Sequence, residues 1–147
     1  ELEILSLRHV PQLTYLNVSQ NVKLQTLEFS ESNISTVDLS RNVNLENLIL
    51  SDSPISYLDL KNNTKLVFIN AENVGAGLKS IVDNLPYVPV EAEADIWVRV
   101  EAIANSIQDK CRFKNWEATF EKENKNVLGR ERIVQKNSLN YMLPLPR

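Results

Sequence analysis

Three oxygen-bearing side chains recur at one place in the first half of the chain and could bind a cation. Asn17, Asp38 and Asp59 follow one another at intervals of 21 residues, and carboxylate and amide oxygens are the ligands that calcium prefers. The same positions would also be the solvent-facing sites of a repeated short strand, where Asp belongs to the repeat itself. We favour that structural interpretation, and we expect no metal site and no cofactor.

Covalent catalysis would have to use the single cysteine and the single histidine. A thiol becomes a nucleophile when a base lies next to it, but His9 and Cys111 stand in distant parts of the chain. Cys111 also continues the four-residue spacing of Ile103 and Ile107, which predicts a place on the apolar face of a helix. Sequences typical of phosphate loops, nucleophile elbows and zinc proteases do not occur. We therefore expect no catalytic residue and a protein that is not an enzyme.

The composition excludes several further classes. The 147 residues carry a formal charge of −3 with one cysteine, so the chain has neither the basic face that nucleic-acid binding requires nor a disulfide framework. No apolar run approaches the ~20 residues that span a bilayer. Because the sequence begins at Glu1, without Met and inside a repeat, we infer a mature product or a portion cut from a longer protein.

Three tripeptides match the acceptor for N-linked glycans, but a second interpretation competes. Asn, Ser and Thr are also the residues that tight turns require. We favour the turn interpretation for all three tripeptides, which are Asn17-Val18-Ser19, Asn33-Ile34-Ser35 and Asn62-Asn63-Thr64.

The elements that would position these residues are turns of a 21-residue repeat. Its pattern, L-x-x-L-x-L-x-x-N, occurs three times, and an offset set of apolar residues keeps the same period. An earlier copy of the offset set, displaced by one residue, contains Leu2, Leu5 and Leu7. The aligned positions are Leu13, Leu16, Val18 and Asn21; Ile34, Val37, Leu39 and Asn42; Ile55, Leu58, Leu60 and Asn63; and, in the offset set, Leu24, Leu27 and Phe29; Leu45, Leu48 and Leu50; Leu66, Ile69 and Ala71.

Alternating apolar residues are typical of short strands with one buried face. One turn cannot bury its leucines alone, so successive turns stack and share a core. We predict an α/β fold, a right-handed solenoid of short parallel strands over residues 2 to about 74. The side chains expected to be buried are Leu16, Leu27, Val37, Leu48, Leu58 and Ile69.

An asparagine ends each copy of the pattern, at Asn21, Asn42 and Asn63. A side-chain amide at a tight bend can hydrogen-bond backbone groups of neighbouring turns that would otherwise be unpaired. We interpret the three asparagines as a structural ladder rather than as ligand-binding residues, because a binding site rarely repeats one residue in every turn.

The repeat ends after Ala71, and the residues that follow predict a mixed α/β cap. A short helix is indicated at 78–85 and is stopped by Pro86. We divide the chain into a solenoid at 1–77, a cap at 78–120, which would close the open end of the stack, and a charged, then apolar tail at 121–147. The further elements predicted in the cap are a strand at 96–100, a helix at about 101–111 and a strand at 116–120.

The repeats resemble the leucine-rich repeats of internalin-like and Bacteroidetes cell-surface proteins. Val37-Asp38-Leu39-Ser40-Arg41-Asn42 and Leu58-Asp59-Leu60-Lys61-Asn62-Asn63 are similar to their L-D-L-S-x-N element. Leu78 to Leu85-Pro86, with Lys114-Asn115-Trp116, is similar to the ending of the Bacteroidetes members, although glycine-free acidic sequence replaces their Gly-rich link. The likeness covers about residues 1–120. It implies a bacterial adhesion or interaction protein that is secreted or held at the cell surface.

Exposed strand positions that change from turn to turn are the surface with which such solenoids bind partners. Two files of these positions are present, and either could be the concave one. We expect a protein partner or, alternatively, a glycan, with aromatic anchors contributing most. The alternative function is a structural spacer or capping fragment of a longer repeat protein with no ligand of its own. The candidate binding residues are Tyr15, Thr36 and Tyr57 beside the aspartates, and Glu28, Ile49, Phe68 and Asn70 in the other file.

The end of the tail is apolar and contains Leu139, Tyr141, Met142 and Leu143. We expect residues from about 133 to 145 to dock on apolar surface, either on the cap or on another molecule. An intermolecular contact would give a weak homodimer.

Overall fold

A computed structural model describes residues 1–99, 114–121 and 132–133, and these residues form stacked turns joined by one sheet. Within them the sheet has seven strands that follow the order of the chain. The strands are β1 (Ile4–Ser6), β2 (Thr26–Glu28), β3 (Asn47–Ile49), β4 (Phe68–Asn70), β5 (Ala94–Arg99), β6 (Trp116–Glu121) and β7 (Arg132–Ile133). Between β4 and β5 lie the helix α1 (Gly77–Asp83) and a 3-10 helix (Val90–Ala92).

The strands β1 to β6 are parallel, so from β1 to β5 the chain must complete a turn between each strand and the next. Leu5, Leu27, Leu48 and Ile69 face one another across β1 to β4. The strand β7 pairs with β6 in the antiparallel direction. The prediction of a parallel-strand solenoid is confirmed.

Only one of the two leucine files forms strands. The strands β2, β3 and β4 come from the offset set, whereas the stretches around Leu16, Val37 and Leu58 lie outside strands. Adjacent turns on that side are joined by separate backbone hydrogen bonds instead of a ladder, and the alternating pattern therefore gives strands on one side of the turn alone. Two of these bonds, both 2.9 Å long, run from Asn33 N to Leu13 O and from Ser56 N to Ser35 O.

The core consists of apolar side chains that both sides of each turn direct inward. Leu16, one of the six residues predicted to be buried, is only half-buried, although it packs against the core. It lies in the first described turn, where a neighbouring turn covers it on one side. Burial of one such side chain contributes about 1.5 to 3 kcal/mol. The other five are buried, and they are Leu27, Val37, Leu48, Leu58 and Ile69.

Two glycines shape the chain where the repeat pattern ends. Gly75 has a φ of 61°, in the left-handed region that favours glycine. Gly77 begins α1 so close to the preceding turn that a Cβ atom there would lie 1.8 Å from the backbone oxygen of Ile55. The close approach lets α1 place an apolar stripe in the core, formed by Leu78, Ile81 and Val82.

The strands β5 and β6 continue the sheet beyond the repeats. Ile96 pairs with Ile69, so β5 occupies the place of a further turn. Its first residue is Ala94, somewhat before the predicted start. The predicted helix at 101–111, which includes Cys111, lies outside the described residues, as does the tail at 134–147. Ile133 pairs with Phe120 of the same chain.

Across the described ranges, no helix combines the length and the apolar character that crossing a membrane requires.

Candidate binding surfaces

The structure divides the candidate binding residues between two surfaces. We call the outward-facing side chains of β1 to β5 the strand face, and the cavity beside the non-strand file the tyrosine groove. The strand face includes Glu28, Ile49, Phe68 and Asn70, and the tyrosine groove is lined by Tyr15, Thr36 and Tyr57.

Two aromatic rings meet on the strand face. Phe68 in β4 and Trp97 in β5 meet edge to face, with their ring centroids 5.2 Å apart and their planes at 83°. The indole Nε1 of Trp97 donates a hydrogen bond of 2.6 Å to Oδ2 of Asp95. Asn70 on β4 is the register partner of Trp97, and Ile49 on β3 is the register partner of Asn70. All five side chains are half-buried, so the rings are held in place by their own sheet.

Glu28 belongs to the strand face by its place in β2, but it is not available to a partner. Only 5% of the residue is exposed. Its carboxylate accepts hydrogen bonds from Arg8 Nε at 2.6 Å, Ser6 Oγ at 2.5 Å and Ser30 Oγ at 3.4 Å. Burial by itself would raise the pKa of Glu28, but the bonds from Arg8, Ser6 and Ser30 together hold the pKa below its ordinary value. Glu28 therefore stabilises the first turns, which corrects its assignment as a binding residue.

The tyrosine groove is a shallow, open cavity of about 530 Å³. Tyr15 and Tyr57 are 72% and 54% exposed, and the smaller, exposed Thr36 lies between them in the sequence of turns. Leu16, Val37 and Leu39 contribute apolar surface to the lining. The remaining residues that line the groove are polar, and they are Asn17, Ser19, Asp38, Ser40, Asp59 and Asn62.

Three side chains at equivalent positions order the polar part of the groove. Oδ1 of Asn17, Asp38 and Asp59 accepts a hydrogen bond from the backbone N–H two residues further on, at 3.0, 2.9 and 3.0 Å. Hydrogen bonds from the side chain and the backbone of Ser40 lower the pKa of Asp38. Within the described ranges, no three His, Cys, Asp or Glu side chains are grouped so that they could hold a metal ion. The recurrence of these residues is explained by turn geometry.

Asn42 and Asn63 are completely buried and connect successive turns. Nδ2 of Asn42 donates to Val18 O at 3.0 Å and Asn21 O at 2.9 Å, and Nδ2 of Asn63 donates to Leu39 O and Asn42 O at the same two distances. Among the described residues, the Oδ1 atoms of both side chains have no hydrogen-bond partner. Asn21, at the start of the column, is half-buried. These contacts place the asparagines inside the stack and away from both surfaces.

A buried pair of serines forms a second polar column that the repeat pattern does not predict. The Oγ atoms of Ser32 and Ser53 lie 3.0 Å apart, and Ser53 Oγ donates to Phe29 O at 2.9 Å. The two serines are 21 residues apart in the sequence, and this spacing could have indicated the pair. Neither serine belongs to the leucine pattern. Both hydroxyls are buried and hydrogen-bond to backbone groups, so they are not candidate nucleophiles.

Four residues other than glycine have left-handed backbone and form a third column along the stack. One of them lies in the turn after each of the strands β1 to β4. Such a conformation costs about 1 to 3 kcal/mol per residue. Two side-chain contacts link members of the column, at 2.8 Å between His9 Nδ1 and Glu31 Oε2 and at 2.7 Å between Asn73 Nδ2 and Asp52 Oδ1. The φ angles are 54°, 52°, 57° and 57° at His9, Glu31, Asp52 and Asn73.

The Lys114-Asn115 pair, singled out in the sequence as part of a recurrent ending, makes structural contacts. Lys114 Nζ donates to Asp83 O at 2.8 Å, and Asn115 Nδ2 donates to Val88 O at 2.8 Å. These bonds tie the start of β6 to the end of α1 and to the link that follows it.

Because comparison with known proteins gives no match, the function has to be inferred from the two surfaces. No protein-family profile, curated protein or solved structure matches the chain.

Proposed function

We propose that the chain is a non-enzymatic binding module of a secreted or cell-surface bacterial protein, and that its strand face binds a protein partner. We assign its turns to right-handed leucine-rich repeats, with residues 78–120 as their cap. The repeat spacing supports the repeat class, and parallel crossover connections are right-handed in about 98% of cases. The resemblance to internalin-like and Bacteroidetes surface proteins supports the location.

The observation that carries this proposal is the Phe68–Trp97 pair, with centroids 5.2 Å apart. Aromatic side chains dominate the binding energy of interfaces, and anchors that are ordered before binding lose less conformational entropy. Half-buried polar side chains lie beside the pair: Asn47 is the register partner of Phe68, Asn70 is that of Trp97, and Thr26 lies one strand beyond Asn47. An apolar centre inside a polar rim is the usual composition of a protein interface.

The test begins with a binding screen of the whole chain against an array of secreted and cell-surface ectodomains. Substitution Phe68→Ala should weaken binding of a true partner at least about tenfold, since loss of a central aromatic anchor costs more than 1 kcal/mol. Tyr57→Ala, a substitution of an exposed aromatic residue in the groove, is the matched control and should leave that affinity unchanged.

A second variant separates lost binding from lost folding, because Phe68 is half-buried. Asn47 faces outward from β3, where its Nδ2 donates to Thr26 Oγ1 at 3.3 Å. Asn47→Arg should block a partner sterically while the unfolding transition stays close to that of the unsubstituted protein. The absence of any partner, or binding that survives both substitutions, would contradict the proposal.

A structural spacer within a longer repeat protein is the second candidate. Four leucines of the first turn are only half-buried, whereas their counterparts in later turns are buried. Apolar surface of this kind suits stacking against another turn or a capping element. A strand face that binds nothing would favour this role. The four residues are Leu5, Leu7, Leu13 and Leu16.

A further inference from the structure

We propose that the tyrosine groove is a second, separate binding site and that its ligand is a neutral carbohydrate chain. This site goes beyond the proposed strand-face function and does not depend on it. It rests on the arrangement of two exposed rings, on the polar residues between them, and on the size and charge of the groove.

The repeat sets the spacing of the two tyrosines. Tyr15 and Tyr57 occupy the same position two turns apart, with Thr36 at that position in the turn between them. Backbone hydrogen bonds of 2.9 Å join successive turns on this side, from Asn33 N to Leu13 O and from Ser56 N to Ser35 O. Turns joined in this way lie about 5 Å apart, so the backbones that carry the rings are separated by about 10 Å. The two rings therefore flank a gap that runs along the stack.

The groove offers both kinds of contact that a sugar needs. A sugar ring has apolar C–H faces, which pack against the electron-rich face of an aromatic ring, and hydroxyls at its edge, which donate and accept hydrogen bonds. The tyrosine rings provide the first contact, and the amide of Asn17 and the carboxylates of Asp38 and Asp59 provide the second. Since Oδ1 of each already accepts a backbone N–H, these groups are oriented before a ligand arrives, which lowers the entropy cost of binding.

The groove is large enough to hold part of an oligosaccharide. Its volume of about 530 Å³ lies inside the range of about 300 to 1,000 Å³ that is typical of small-molecule sites. Two rings separated by a smaller residue leave room between them for a narrow chain.

The local charge favours a neutral ligand over an anionic one. Asp38 and Asp59 form no ion pair within the described part of the chain. Exposed Arg41 and Lys61 follow them along the chain, but the lining of the groove contains no Lys or Arg. The two carboxylates would repel an anionic ligand, whereas an uncharged sugar can donate hydrogen bonds to them.

The experiment uses the fluorescently labelled whole chain on an array of immobilised neutral glycans, followed by calorimetric titration of the strongest binder. Tyr15→Ala and Tyr57→Ala should each weaken that binding about tenfold, as expected for loss of one stacking ring. Tyr87→Ala is the matched control, because Tyr87 is also exposed, at 60%, but lies outside the groove. Both groove tyrosines are exposed, so these variants should unfold at nearly the same temperature as the unsubstituted protein.

A basic-peptide probe and a strand-face variant complete the test. Phe68→Ala should leave glycan binding unchanged, so the failure of one site is distinguishable from the failure of the other. Absence of glycan binding, or binding that neither groove tyrosine affects, would overturn the proposal. Binding of an oligoarginine peptide that is lost in Asp38→Asn and Asp59→Asn, without glycan binding, would assign the groove to a cationic peptide and would also overturn it.

Discussion

The strand face and the tyrosine groove are built from one repeat, yet their outward-facing side chains are exposed to different degrees. On β3 to β5 the strand-face residues from Asn47 to Trp97 are half-buried by their neighbours, although Ile4 on β1 is 65% exposed. The tyrosines of the groove extend into solvent. Equivalent rows in successive turns are Thr26, Asn47 and Phe68 on the strand face and Tyr15, Thr36 and Tyr57 in the groove.

The difference arises from how each side satisfies its backbone groups. On the strand face a continuous ladder brings side chains of neighbouring strands into contact, as between Phe68 and Trp97. In the groove, side chains such as Asp38 and Asp59 accept backbone N–H groups of their own turn. The tyrosines there gain no ring partner among the described residues. The same period therefore produces one surface that is already ordered and another that remains accessible.

The largest expected effect is in the core that both surfaces share. Leu48→Ala, at a completely buried site in β3, should lower the free energy of unfolding by about 2 to 5 kcal/mol, because it leaves a cavity between the two sides. Urea unfolding measures the loss. Leu2→Ala, at a residue 41% exposed, is the control and should cost much less. Equal losses would mean that the two surfaces do not rest on one core.

The next largest loss of stability is expected in the column of buried asparagines, which joins successive turns without belonging to either surface. Asn42→Ala should destabilise the protein by about 1 to 3 kcal/mol, since the carbonyls of Val18 and Asn21 lose their donor. Binding at both surfaces should be unchanged. Asn44→Ala removes two exposed bonds, from Asn44 Nδ2 to Val22 O and from Lys65 Nζ to Asn44 Oδ1, and serves as the control. A neutral Asn42→Ala in chemical unfolding would show that the column is dispensable.

The contrast between ordered and accessible aromatic residues can be measured directly. Phe68→Ala should lower the free energy of unfolding by about 1 to 2 kcal/mol, because a half-buried ring and its contact with Trp97 are lost. Tyr57→Ala should change it by less than about 0.5 kcal/mol, as is usual for exposed positions. Thermal and urea unfolding of the two variants would give similar shifts if the surfaces were equally ordered.

The smallest effect is pH-dependent and belongs to the strand face. The lowered pKa of Glu28 means that its ionised form stabilises the fold above the ordinary glutamate pKa of about 4.3, and that this contribution is lost as the pH falls through the folded value. Glu28→Gln should reduce stability at pH 7 by about 1 kcal/mol, since the exposed Arg8 is screened. The deficit should shrink towards pH 3.

The control for the pH experiment is Glu46→Gln, at an exposed glutamate outside this cluster. It should have the same pH profile as the unsubstituted protein. A Glu28→Gln deficit that stays constant between pH 7 and pH 3 would show that packing, and not the charge of Glu28, stabilises the first turns.

Much of the fold could be predicted because the same pattern of apolar residues recurs in several turns. The position of Leu48 is supported by Leu27 and Ile69, and all three are buried. The short helix before Pro86 was indicated by its apolar stripe. Leu16 differs from its counterparts because burial in a stack requires a neighbouring turn on each side, which no local pattern reports.

The candidate surface was less predictable because exposure depends on contacts between turns. The alternation that places Glu28 on the outer face of β2 is correct, but Arg8 and Ser6 of the preceding turn cover its carboxylate. The left-handed backbone at Glu31 has no signal in its residue type, since glutamate does not favour that conformation.

By itself, then, the amino-acid sequence determined the period of the stack, the identity of its inward-facing leucines and the place of the asparagine column, because these depend on spacing along the chain. The tertiary structure decided which leucine file pairs as strands, since both files have the same alternation and only the hydrogen-bond register between turns distinguishes them. It also decided that Phe68 and Trp97 meet while Tyr15 and Tyr57 flank an open groove. Those placements arise from contacts between residues in different turns, and a pattern within one turn does not contain them.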